Sequence, residues 1–244
     1  MIHEILTPMN HREIEYNAKR LSGCDIPDSP VYDRALLKWL DETGERVFDD
    51  DLVMDYGTDC LRLYLLFEKT PKEDDAPYYD SWQEGALEGM YKFLGRYRRM
   101  VLAADEWNRR GNYTEGTLSA ESINRLEHAI KATDDKIEKC ISRGNTMPNR
   151  HNIVAAFMEL LNIFQKELKI SEIISSLHEH AVRTAVPHGK TVSGVDAGQG
   201  GSTGQNSSVS ALCRDFMIRM APYAPNLSRV LWEAMQKDSA QNIC

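Results

Sequence analysis

Between Lys92 and Arg110 the chain gathers six basic residues, Lys92, Arg96, Arg98, Arg99, Arg109 and Arg110, against only Asp105 and Glu106. A segment of net charge +4 can bind a phosphate-rich polyanion, because ammonium and guanidinium groups replace the counterions that phosphates otherwise hold. The same residues also fit a solvated helix face, and the sequence alone leaves both readings open. The 244-residue chain carries a formal charge of −8, so everything outside this segment sums to −12. One local patch can steer a polyanion while the remaining surface repels it, with modest and strongly salt-dependent affinity.

The other candidate groups do not assemble into a site. His178 and His180 are two residues apart, which puts them on different faces of a helix and rules out joint metal ligation. Five cysteines, at 24, 60, 140, 213 and 244, are scattered without a C-x-x-C pair, the pattern of inert thiols in a reduced compartment. Residues 191–210 hold five glycines among Ser, Thr, Gln and Asn. With Lys190 ahead of this run and no strand before it, it reads as a flexible loop and not a phosphate cradle. No basic stretch followed by an apolar one opens the chain, and no apolar run nears the roughly 20 residues that span a bilayer. A soluble, cytoplasmic protein with no metal is expected.

Helices must carry these groups. Leu36, Leu37 and Leu40 form a short apolar stripe, with Gly44 as its expected C-cap. Gly57 breaks the chain, and Thr58 or Asp59 is placed to cap a helix carrying Leu61, Leu65 and Leu66. A long helix to about Trp107 turns Ala86, Met90, Phe93, Leu94, Tyr97, Met100 and Val101 inward. Further helices are expected over 120–141, 152–168, 170–186, 211–220 and 227–235, the second burying Ile153, Val154, Phe157, Leu160, Leu161 and Phe164. Pro222 ends one of the last two, and Pro225 presets the entry of the other.

The order of residues adds a resemblance. Tyr56-Gly-Thr-Asp-Cys-Leu-Arg-Leu-Tyr-Leu-Leu-Phe67, Glu88-Gly-Met-Tyr-Lys-Phe-Leu-Gly-Arg-Tyr-Arg-Arg-Met-Val101, Ala155-Ala-Phe-Met-Glu-Leu-Leu-Asn162 and Met220-Ala-Pro-Tyr-Ala-Pro-Asn-Leu227 run in this order. They resemble the stem-contact region and helical anticodon-binding domain of leucyl-tRNA synthetases, covering roughly 44–238. Counting back between Gly44 and Gly57, the position of that family's KMSKS loop falls on Lys38-Trp-Leu-Asp-Glu42. Lys38 matches the first lysine, but Asp41 stands where the family's second lysine meets ATP phosphates. At about 4 Å and an effective dielectric near 20, two unit charges exchange roughly 4 kcal/mol, so this exchange reverses a substantial attraction.

The resemblance implies a mainly all-α bundle of the class I anticodon-binding type, 56–240, with a small mixed α/β annex over 1–55. It implies RNA contact by Lys92, Arg96, Arg98, Arg99, Arg109 and Arg110. The partner would be a tRNA, leucine tRNA by ancestry, held by its backbone. The family's Rossmann catalytic half, with its HIGH motif, editing domain and zinc modules, has no counterpart in the 244 residues. Catalytic residues are therefore expected to be none, with Lys38 and Asp41 as remnants, and the family's ATP and Mg are not expected to bind. Two alternatives are a subunit or fragment working with a separate catalytic chain of leucine-tRNA ligase, and a protein-interaction module that has lost RNA.

Overall fold

The computed structural model describes residues 34–47, 50–67, 84–110, 112, 118–141 and 150–185, together with 208–241. Among them lie α1 (Arg34–Val47), α2 (Asp50–Tyr56), α3 (Thr58–Phe67), α4 (Glu84–Arg109), α5 (Ala120–Ile141), α6 (His151–Glu167), α7 (Ile170–Ala185), α8 (Ser208–Met220) and α9 (Pro225–Gln241). No strand occurs among the described residues, so the fold is mainly all-α. The mixed α/β annex expected over 1–55 is helical in its described part, as α1 and α2, and residues 1–33 lie outside the described residues. Of the flexible loop expected over 191–210, residues 191–207 lie outside them, and 208–210 instead open α8, where Val209 and Ser210 are buried.

The centre is α3, in which every residue from Asp59 to Leu66 is buried. A helix apolar nearly all round must be enclosed on all sides, and α1, α2, α4, α6 and α9 all pack against it. Gly57 makes the entry possible. Its φ of 78° is left-handed backbone, open to glycine at no steric cost. There its N–H closes α2 on the Val53 carbonyl at 2.9 Å, and its own carbonyl accepts from Leu61 in α3.

The expected stripes are mostly the buried ones, although Ala86 is only half-buried and Leu87 beside it takes the interior place. On α4, Met90, Phe93, Leu94, Tyr97, Met100 and Val101 are all enclosed, and α6 buries Ile153, Val154, Phe157, Leu160, Leu161 and Phe164. Phe216 of α8 ties these helices together, with ring centroids 5.2 Å from Tyr97, 5.1 Å from Phe164 and 6.5 Å from Phe157. Such ring pairs add about 0.5–1.5 kcal/mol each beyond their buried area. Helix α5 lies along α6, clasped by the pairs Arg125–Glu167 and Lys136–Glu159, and a bidentate Arg219–Asp134 pair at 2.8 and 2.7 Å fixes α8 to α5.

Several helix boundaries differ from expectation: α4 runs on to Arg109, α8 opens at Ser208 and α9 extends to Gln241. Helix α1 runs through Gly44 instead of stopping there. An interior glycine costs only about 1 kcal/mol, less than the burial of Leu36 and Leu40 returns. Helix α9 starts at Pro225, two residues early, because proline suits the first helical position, where the missing N–H is not needed.

Candidate nucleic-acid interface

At about 100° per residue, Lys92, Arg96, Arg99 and Arg110 fall within roughly 60° of one another on α4, opposite its buried stripe. Arg98 and Arg109 lie about a third of a turn away. The structure separates the six cations accordingly. Arg98 is buried, at 4% exposure. Arg109 is folded back on Asp105 at 2.7 Å, with only 23% of its side chain exposed. These two do not share the outward ridge formed by the other four.

The four ridge cations differ in how their charge is balanced. Lys92 pairs with Glu88 at 2.7 Å and Arg110 with Glu106 at 2.8 Å. Arg99 is exposed and makes no ion pair among the described residues. Arg96 donates from Nη2 to Asn162 Oδ1 and Gln165 Oε1 of α6, both at 2.5 Å. Its acceptors are neutral amides, so the guanidinium is held in place without losing its charge. Asn162 and Gln165 went unrecognised in the sequence. Their signal was a pair of amides three residues apart, hence on one side of α6 and flanking its apolar stripe.

The stretch at the KMSKS position is a docked helix. Leu40 is fully buried, and the Trp39 ring lies 4.1 Å from the Arg150 guanidinium carbon, a cation–π contact. Lys38 is exposed and pairs with Glu42 at 3.5 Å. Asp41 pairs with Arg62 of α3. Its carboxylate therefore has a structural task unseen in the sequence, because Arg62 is 21 residues away.

Arg62 also donates from Nη2 to the Pro222 carbonyl at 3.1 Å. Asp59, one turn before it, does not cap its own helix. It reaches 167 residues along the chain to the start of α9. Oδ1 accepts from the Asn226 backbone and side-chain amides at 3.3 and 2.9 Å, and Oδ2 accepts from the Leu227 N–H at 2.7 Å. The Asp-x-x-Arg of the first motif and the Pro-Tyr-Ala-Pro-Asn-Leu of the fourth are thus two halves of one joint. Burial pushes the Asp59 carboxyl up to about 6, against the pull of the Leu227 and Asn226 backbone amides and of Arg62. Burial likewise pushes the Cys60 and Cys213 thiols up to about 12, consistent with inert cysteines.

Among the described residues, no group of three or more His, Cys, Asp or Glu is placed to hold a metal ion. His178 and His180 are both exposed on α7. No helix there is long and apolar enough to cross a membrane. The arrangement offers binding chemistry: a helical bundle carrying a cationic ridge on one long helix.

Sequence comparison gives that bundle a lineage. The chain is 24% identical to a leucine–tRNA ligase of Alcanivorax borkumensis over 229 residues, covering 90% of this chain and 23% of that protein. It is 24% identical over 196 residues to the enzyme of Petrotoga mobilis, covering 80% and 19%, and 26% identical over 189 residues to that of Dehalococcoides mccartyi, covering 78% and 17%. No family model and no solved structure matches it. The chain is a relative of the leucine–tRNA ligases, and it spans about a fifth of the length of those it matches.

Proposed function

We propose that this chain is a tRNA-binding helical module of leucyl-tRNA synthetase descent, of the anticodon-binding type, acting in the cytoplasm. It holds tRNA by its backbone, and any aminoacylation requires a catalytic domain that these 244 residues do not supply. ATP and Mg have no site in this reading. The observation that carries it is the outward ridge on α4, with Arg96 and Arg99 uncompensated by acids among the described residues, in a chain whose relatives are named leucine–tRNA ligases. Elsewhere the net negative charge repels a polyanion, which confines binding to that face.

A gel-shift titration with tRNA at low salt tests this. Reversing both charges, Arg96→Glu with Arg99→Glu, should weaken binding roughly a hundredfold, the size of two lost charge-assisted contacts. Unchanged affinity would exclude this face. The span of about a fifth of the relatives' length favours a second reading, a part that works with a separate catalytic chain. Co-purification of a partner that exchanges pyrophosphate into ATP with leucine is its expected mark. A chain that retains no tRNA at low salt would instead be a protein-interaction module.

A further inference from the structure

Resting on the tRNA-binding reading, the geometry points to one particular phosphate site on that face. We propose that Arg96, Asn162 and Gln165, where α4 meets α6, form a preorganised seat for an RNA phosphodiester, with Arg99 one helical turn beyond it. The amide oxygens of Asn162 and Gln165 both accept from Nη2 of Arg96. Each amide therefore keeps both N–H donors of its NH2 group for another acceptor. The cluster offers donors and positive charge, and each amide oxygen already accepts from Arg96. An anion is the ligand such a set recognises, and Arg96 keeps its Nε and Nη1 hydrogens for a charge-assisted contact with a phosphate oxygen.

The neighbouring acids do not cancel it. Glu159 is engaged with Lys136, and Glu167 with Arg125, both toward α5. Glu88 and Glu106 are spent on Lys92 and Arg110. Lys166, adjacent to Gln165, is exposed and adds to the positive field. Arg96 and Arg99 are three residues apart, about 4.5 Å of helix rise, so both reach the phosphates of one strand. Backbone contact of this kind recognises the shape of an RNA stem without reading its bases.

The test leaves both arginines untouched. Asn162→Asp and Gln165→Glu keep an oxygen for Arg96, and so keep its position, but add a negative charge at the seat. Fluorescence anisotropy with a tRNA transcript is the readout, with Asn124→Asp, at an exposed position of α5, as the control of equal charge. Each seat variant should bind about tenfold more weakly, the size of one charge-assisted contact. The slope of log Kd against log salt should fall by about one, with thermal stability unchanged and the control binding normally. If the wild type binds tRNA and the seat variants bind equally well, this site is overturned while the tRNA-binding reading stands. If the wild type binds no tRNA, both fall. If the seat variants weaken adsorption to phosphatidylserine vesicles as strongly as binding to tRNA, the assignment to RNA is overturned.

Discussion

The α3–α9 joint and the α4 ridge use the same currency, Arg against Asp, Asn or Glu, and put it to opposite ends. At the joint, Asp59 is fully enclosed and Arg62 nearly so, and their partners come from segments far apart in the chain. On the ridge, two cations are matched by nearby acids, one is held by neutral amides, and Arg99 has no acid partner among the described residues. A buried charge must find partners or the fold fails. An exposed one gains little from a partner, so its charge stays available to a ligand. Burial and the charge of the partner, more than residue type, separate scaffold from surface here.

The contrast breaks most sharply at Asp59. Asp59→Ala strips the Leu227 and Asn226 amides of their acceptor and leaves Arg62 without its buried neighbour. A loss of roughly 3–5 kcal/mol is expected in urea unfolding. Charge reversal at Arg99 should leave the urea midpoint where it is. Equal effects at the two sites would erase the distinction.

Acid sharpens it next. The folded carboxyl of Asp59 holds a proton up to about pH 6, whereas 3.8 is its ordinary value. Between those values the folded state binds a proton that the unfolded chain has released, so this group's contribution to stability rises as pH falls from 7 toward 4. The span of about two units corresponds to roughly 3 kcal/mol. Comparing wild type with Asp59→Asn across pH 4–7 isolates it, and identical pH dependence in the two would refute the assignment.

The smallest expected effect is at Asp41, whose side chain is 64% exposed. Asp41→Lys restores the lysine that the family resemblance places there, but sets it against Arg62. A loss of about 1 kcal/mol is expected, solvent screening having reduced the repulsion. Nucleotide binding should not appear. A more stable variant would mean that the Asp41–Arg62 pair does not hold α1 in place.

Much of this was legible in the chain wherever one helix decides its own faces. The 3.6-residue stripes of α4 and α6 named their buried residues correctly except at Ala86, because burial follows spacing. The same arithmetic, applied to the cations, would have set Arg98 and Arg109 apart from Lys92, Arg96, Arg99 and Arg110. Other features lay beyond local reasoning. Asp59 looked like a cap for its own helix because Thr58-Asp59 follows Gly57, and nothing nearby reveals a set of donors 167 residues away. Asp41 looked like a mere loss of charge for the same reason. Helix α2 went unforeseen, since Asp50–Tyr56 is only seven residues long, too short for a clear periodic stripe. The seat at Arg96 depends on which helix crosses α4, which only the assembled bundle decides.

The most direct test is the salt dependence of tRNA binding by the purified, unmodified chain. Two uncompensated ridge cations predict measurable binding at low salt and a log–log slope near −2, from about 0.9 counterions released per phosphate neutralised. No retained tRNA even at low salt, or binding indifferent to salt, would contradict the account.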